Sequence, residues 1–597
     1  MKSRITYALC SALAVTAIAC GGNTGTTPAT PATPATKDSG APSAAQAQGP
    51  GENPFTPRPI VVDYNLPETK IDGATGSMPV SSAASYGWSA FIALNWPAST
   101  AAGTRGAPDA TKNFGGSGTP VWVTMRSKVE VYPGNGSAKV APHGVLLDGS
   151  GKPTNGPDYG YGDPQQYYYS TGLLKACTGQ VPVATPALIV LDETTQINNN
   201  QTFAGAAPAT DPYGYNSKPQ LIRYSVKMSK PVYATSIGGQ YWYLDTKGSP
   251  LQTAKTNYQN ALAQGQSKDP ATPFVNFAPV PPNFDPNLAG IEIKSAWRPL
   301  SDTESKSGRF VTQTVRYYEQ PGGTSCYREA TWGLVGMHVI SFPLAAPWVM
   351  WTSFEQADNI LTADGKPTED ENGNVLIKAA TPTSPMLSSN PNVENPTVTA
   401  SGPACAAPGK QLYFVENPNY KSMPAGNICV NNRWTPAEPI FVKANVEAHK
   451  AIETYLAAHG GGKSPLQYYK LVAAQGVPVD YENRGGGMFS TAVSYYSANA
   501  TIETDYSLGN FTGILTKTGV PTNLQNGQKW YNTQLLPFQE ARLTFGKMRM
   551  GGCAGCHDNT SQFGKDFSFA LGNNVLQPEA TNAFGTPNLL RSYFPLK

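Results

Sequence analysis

The sequence predicts an α+β protein, a β-rich N-terminal body followed by a helical C-terminal part. Three observations predict it. Stretches of alternating apolar and polar residues recur before residue 435, Gly, Pro and Asn turns separate them, and helical apolar spacing takes over from Pro436 onward. Glycine (59) and proline (53) are abundant among the 597 residues, and charged residues make up 14%, against the roughly 25% of ordinary soluble domains. Surface polarity therefore rests on Ser, Thr, Asn, Gln and Tyr. The formal net charge is +3 without a basic run, so nothing in the charge pattern points to nucleic acid as a partner.

Residues 1–19 have the form of an export signal. Lys2 and Arg4 give a basic head, Ile5 to Ala19 is an apolar run too short to span a bilayer, and Ala17-Ile18-Ala19-Cys20 resembles a bacterial lipobox. The expected mature chain starts at a lipidated Cys20, with ordinary signal cleavage near Ala19 as the alternative. Residues 20–55 read as a disordered tether built on a Thr-Pro-Ala repeat between Thr27 and Thr36. Acyl chains and tether together would hold an exported body at a lipid membrane. Gly21 after the cysteine, where Asp would retain a lipoprotein at the inner membrane, resembles the pattern sorted to the outer membrane or its periplasmic face.

The body, residues 56–435, carries the strand signals. Alternation predicts strands at Val121 to Tyr132, Leu221 to Met228, Val232 to Leu244, Ile291 to Trp297 and Phe310 to Tyr318, and a short helix near Thr253 to Gln264. Asp364-Gly365 and Asn372-Gly373 mark turns, and Glu369-Asp370-Glu371 beside them reads as a solvated loop. Trp332 to Trp351 has no charge and is nearly long enough to cross a bilayer. Pro343 and Pro347 would break the helix a membrane demands, so a buried core segment is expected.

Residues 436–597 form the helical region. Val442, Val446, His449, Ile452, Leu456 and His459 share a helical face, which Gly460-Gly461-Gly462 ends. Ser464-Pro465 has the form of a helix start leading to Gln475. A last helix is predicted over Pro537 to Met550, running into Gly551-Gly552.

Directly after it stands Cys553-Ala554-Gly555-Cys556-His557. C-x-x-C-H is the attachment sequence of covalent haem: two thiols reach the two vinyl groups on one haem edge, and the adjacent imidazole falls under the iron. A thioredoxin-like dithiol would need a βαβ context and a zinc ribbon a second C-x-x-C, which the chain lacks. The remaining cysteines are Cys177, Cys326, Cys405 and Cys429, apart from Cys10 in the signal. Four cysteines permit three pairings. Proximity in sequence favours Cys405 with Cys429, a bridge contributing roughly 3–4 kcal/mol, and Cys177 with Cys326 then follows.

The order helix, Gly-Gly, C-x-x-C-H resembles the start of a c-type cytochrome domain, here truncated. With Phe91-Ile92-Ala93-Leu94-Asn95-Trp96-Pro97 and Asp566-Phe567-Ser568-Phe569, the chain resembles large bacterial lipoproteins grouped with the cytochrome c family. The resemblance implies one covalent haem c, with Cys553, Cys556 and His557 binding it and His557 as proximal iron ligand. It departs from the family after the motif, because residues 558–597 contain neither Met nor His to face the other side of the iron. His449 and His338 are the candidate distal ligands, with Met337 and Met488 also open. His459 reads as a helix cap, His143 as a surface turn, and Met548 and Met550 lie too close to the motif to wrap around.

Two functions follow. One is a membrane-anchored carrier that passes single electrons to a redox partner protein or a small donor or acceptor. The other is a haem enzyme, a peroxidase or oxygenase, whose body forms an open distal site; Arg298, Arg328 and Glu355 are its acid–base candidates, with structural ion pairing the simpler role. A surface binding protein that uses haem structurally is a third possibility. No nucleophile elbow, phosphate loop or H-E-x-x-H motif is present.

Overall fold

In the computed structural model the described residues are 59–67, 80–131, 146, 148–150, 152, 154, 168–169, 172–185, 187–196, 201–205, 209, 220–242, 248–263, 290–341, 350–362, 365–377, 398–399, 412–415, 427–430, 437–475, 479–480, 499–503, 550–551, 553, 557 and 568. The signal segment, the tether with Cys20, and Cys405, Cys556, His143, Met488 and Met548 lie outside them.

Strong alternation in Ile291–Arg298 and Thr312–Glu319 is satisfied by a mixed eight-stranded sheet. Its strands are β1 (Arg126–Ser127), β2 (Ile189–Leu191), β3 (Arg223–Met228), β4 (Ile291–Arg298), β5 (Thr312–Glu319), β6 (Cys326–Ser341), β7 (Met350–Gln356) and β8 (Tyr469–Gln475). The main path runs β1-β3-β4-β6-β7-β8, while β5 pairs with the first half of β6 and, in parallel, with β2. The long apolar segment after Trp332 is thus a pair of central strands, β6 and β7, as its burial requires. A second sheet joins 398–399, 427–430, 412–415, 201–204 and 220–221 in that order. Together with a few helices, these sheets make the protein α+β and predominantly β.

Two long helices cover one face of the large sheet. α1 (Val80–Leu94) and a later helix, Pro439–Ala458, pack on Ile291, Ile293, Met337, Val339, Phe354 and Leu471. Phe91 stacks on Phe354 with centroids 4.1 Å apart, and Trp88 meets Phe354 edge-on at 5.1 Å. Gly87 lets α1 come this close, since a Cβ there would sit 2.7 Å from Thr352 Cγ2. Asn445 ties the layers together: Trp88 Nε1 and Leu471 N donate to its Oδ1 at 2.7 and 2.8 Å, and its Nδ2 donates to the carbonyls of Leu471 and Asn372.

Several local expectations give way. Val121 to Tyr132 is two single-turn helices, α2 (Val121–Thr124) and α3 (Lys128–Val131), around β1. Arg126, Lys128 and Glu130 are buried, so what reads as an exposed polar row points into protein. Val232 to Leu244 begins as helix α4 (Lys230–Gly238), where Ser229 at the N-cap and Pro231 in the first turn outweigh alternation. The helix near Thr253 is α5 (Pro250–Ala263). After α6 (Asp302–Lys306), which a Ser301–Glu304 capping box opens, the last long helix among the described residues is α7 (Pro439–Ala458); the helix expected over Pro537 to Met550 lies outside them up to residue 549. Its buried face is Phe441, Ala444, Asn445, Ala448, Ile452 and Leu456, while Val446 is exposed. The small alanines seat it closely, which rotates the face away from the valines.

Ser464-Pro465 opens only one 3₁₀ turn with its capping box, and Tyr469–Gln475 continues as β8. Pairing with β7 satisfies the backbone groups along that strand's outer edge, which a helix over 464–475 would leave without these partners. Pro439–Ala458 and Tyr469–Gln475 therefore belong to the same two layers as the body. Glu369 is also buried, paired with Lys470 Nζ, so the acidic run is not wholly solvated.

Candidate functional site

The opposite face of the sheet receives the Cys-x-x-Cys-His stretch. Just past β8, β9 (Val479–Asp480) pairs antiparallel with β10 (Met550–Gly551), which places the Gly-Gly before the motif next to the end of that edge strand. Cys553 and His557 both have helical backbone and are half-buried. The His557 ring rests on the Trp351 indole of β7, with centroids 4.2 Å apart and planes inclined at 44°. Farther on, Ser568 Oγ donates to Glu292 Oε1 of β4 at 2.6 Å, with both residues buried.

Register turns these two contacts into a direction. Trp351 and Glu292 are both cross-strand partners of Ile340, so Trp351, Ile340, Glu292 and, beyond it, Met228 form one row across β7, β6, β4 and β3. All four are buried. His557 touches this row at Trp351 and Ser568 touches it at Glu292, on either side of Ile340. The adjacent row on the same face, two residues along each strand, is Ser353, His338, Lys294 and Val226.

A turn at 499–503 covers that second row. Asn499 Nδ2 donates to the Phe354 carbonyl at 2.8 Å and to Ser353 Oγ at 3.2 Å, Ala500 N donates to Glu355 Oε1, and Tyr224 Oη donates to the Thr501 carbonyl at 2.8 Å. Glu503 Oε1 lies 2.9 Å from His338 Nε2 as an ion-pair contact, without the alignment of a hydrogen bond. Next to His338, Lys294 reaches Glu193 at 3.4 Å, and Glu193 accepts from buried Lys128 at 2.6 Å. Burial alone would raise the Glu193 carboxyl, but Lys128 and then Lys294 outweigh it and hold it at about 2.

The remaining candidates divide by face. His449 projects from α7 on the helical side of the sheet, edge-on to Trp88 at 5.3 Å. Its Nε2 lies 2.9 Å from the Tyr469 carbonyl and its Nδ1 2.9 Å from the Asn372 side chain. Burial lowers its pKa, which favours a neutral ring whose two nitrogens are already engaged. Met337 is likewise buried on the helical face, opposite Phe354 in register. His459 is exposed at the end of α7, with Nδ1 2.8 Å from the Tyr455 carbonyl, which fits a cap. Arg298 forms a bidentate pair with Glu304, and Arg328 pairs with Glu319 at 2.5 Å.

Cys177 and Cys326 form a disulfide that joins the start of β6 to an upstream loop. Among the described residues no group of three or more His, Cys, Asp or Glu side chains is gathered as for a metal ion, and no helix is long and apolar enough to cross a membrane. Trp351, Glu292, Glu503 and Ser568 were not marked as site residues by sequence. Trp351 left a signal as the end of the long apolar segment, and Ser568 as part of Asp566-Phe567-Ser568-Phe569. Comparison with family models, curated proteins and solved structures finds no match for this chain.

Proposed function

We propose that this chain is a c-type cytochrome that carries one covalent haem and transfers single electrons at a membrane surface. Cys553 and Cys556 would hold the haem, and His557 would bind its iron. When bound, the haem supplies a one-electron ferric/ferrous couple. The observation that carries this reading is the C-x-x-C-H spacing with its histidine, His557, seated on Trp351 of the sheet. Two thiols at that spacing and the adjacent imidazole are the donor set of an attached haem edge. Trp351 orients the imidazole and excludes water from one side of it.

The remaining parts follow from this role. Lipid on Cys20 and the 20–55 tether would keep the haem near a membrane, at the outer membrane or facing the periplasm, within reach of a redox partner protein or small donor. A peroxidase or oxygenase is less well supported. Arg298, Arg328 and Glu355 are engaged with Glu304, Glu319 and Ala500 N, so they already serve structural contacts. The test is the full chain expressed with a cytochrome c maturation apparatus. One haem per chain, retained under denaturation and lost in C553S and C556S, supports the reading, and its absence would overturn it. A ferrous spectrum indifferent to carbon monoxide marks the electron carrier, whereas rapid binding would favour the enzyme.

A further inference from the structure

We infer that Trp351 of β7 is a positioning residue that raises the haem's reduction potential: its indole braces the His557 imidazole and keeps water from it. This rests on the proposed cytochrome function and deepens it, naming the residue of the body that tunes the same site. Three observations carry it.

The first is the contact. Indole and imidazole centroids are 4.2 Å apart with planes inclined at 44°, so the two rings touch directly. A contact between aromatic rings spends no imidazole lone pair, so His557 keeps its capacity to bind iron. His557 is only half-buried, and the indole shelters a side of it that water would otherwise reach.

The second is stiffness. Trp351 is the cross-strand partner of Ile340 in β6 and of Gln475 in β8, and all three are buried. A side chain on a strand paired along both edges, with packed neighbours on its own face, has little room to swing. The body therefore fixes the ring that His557 leans on.

The third is the charge nearby. Ferric haem carries one more positive charge than ferrous haem, so water stabilises the ferric state and a dry, apolar surrounding disfavours it. Next to Trp351 in its row stands apolar Ile340; the row's carboxylate, Glu292, is two strands away, about 10 Å by strand spacing. Exclusion of water is the effect this wall supplies.

The test is potentiometry on the full haem-loaded chain for the wild type, W351F, W351A and N445A. W351A should keep its covalent haem and favour the ferric state about tenfold more than the wild type does, a fall of about 59 mV for one electron. W351F should keep the wild-type potential, because a phenyl ring still covers the imidazole. N445A loosens the other face of the sheet and should lose stability without moving the potential, which separates positioning from a general structural effect. A W351A potential equal to the wild type's would overturn the assignment, and so would an N445A potential that falls with it. If W351A does not fold, W351L takes its place, and an unchanged potential there overturns the assignment equally. A wild-type chain without haem would instead remove the function beneath the assignment, and the two failures are distinguishable.

Discussion

The His557 imidazole packs on the Trp351 indole at a centroid distance of 4.2 Å, joining the histidine of the C-x-x-C-H stretch to β7, the strand beside the sheet's edge strand β8. Trp351 is buried and shares its row with Ile340 and Glu292, so the motif is seated on the body and not only tied to it through the chain.

Removing that seat should cost stability. W351A is expected to lower unfolding free energy by about 3–5 kcal/mol in urea denaturation, with W351F recovering most of it. Covalent haem should remain in W351A if the cysteines alone attach it. An equally stable W351A would show that the ring contact contributes nothing.

Asn445 is the joint between α1, α7 and β8. N445A would strand Trp88 Nε1 and Leu471 N, two buried donors, at about 1–3 kcal/mol each. Thermal unfolding should report the loss, and the haem spectrum should not change, because these residues lie on the face away from His557.

The Glu193–Lys128 pair predicts acid sensitivity. The folded-state pKa of Glu193, about 2, lies below the ordinary 4.5, so its stabilisation is complete above pH 4.5 and is lost as pH falls from there toward 2. At pH 7, E193Q leaves Lys128 buried with a weaker partner set and should be less stable by about 3–5 kcal/mol. Denaturation curves for wild type and E193Q should converge as the pH drops below 4.5; parallel curves would show that the carboxylate's charge is not what stabilises the fold.

The Cys177–Cys326 bridge closes a loop with a sequence separation of 149. Replacing both cysteines by Ala should cost about 2–5 kcal/mol, and thiol reductant should shift the wild type toward the variant. Guanidinium denaturation with and without reductant checks this.

Much of the fold was legible because local chemistry carried it. Alternation marked Ile291 to Trp297 and Phe310 to Tyr318 as strands, close to the observed Ile291–Arg298 and Thr312–Glu319, helical spacing marked α7, and the buried core segment expected from Trp332 is strand over 332–341. Local signals failed where long-range pairing decided the outcome. Ser464-Pro465 has the chemistry of a helix start, yet the open edge of β7 drew Tyr469–Gln475 into a strand. Alternation over Val121 to Tyr132 predicts a strand, but Arg126 and Lys128 are buried against Glu130, Asp192 and Glu193, partners distant or hidden from local pattern.

The candidate site divides in the same way. The residues that could attach a haem are contiguous, so Cys553, Cys556 and His557 were read directly, as chemistry at fixed spacing. The two histidines that the sequence offers as distal ligands, His338 and His449, both lie in apolar stretches of sequence, and composition does not separate them. Strand register does, because a period of two places His338 on Trp351's face and its neighbour Met337 on the other, while helix packing holds His449 beyond the sheet. A side chain's face depends on pairing between distant strands, and that is settled only when the whole sheet assembles.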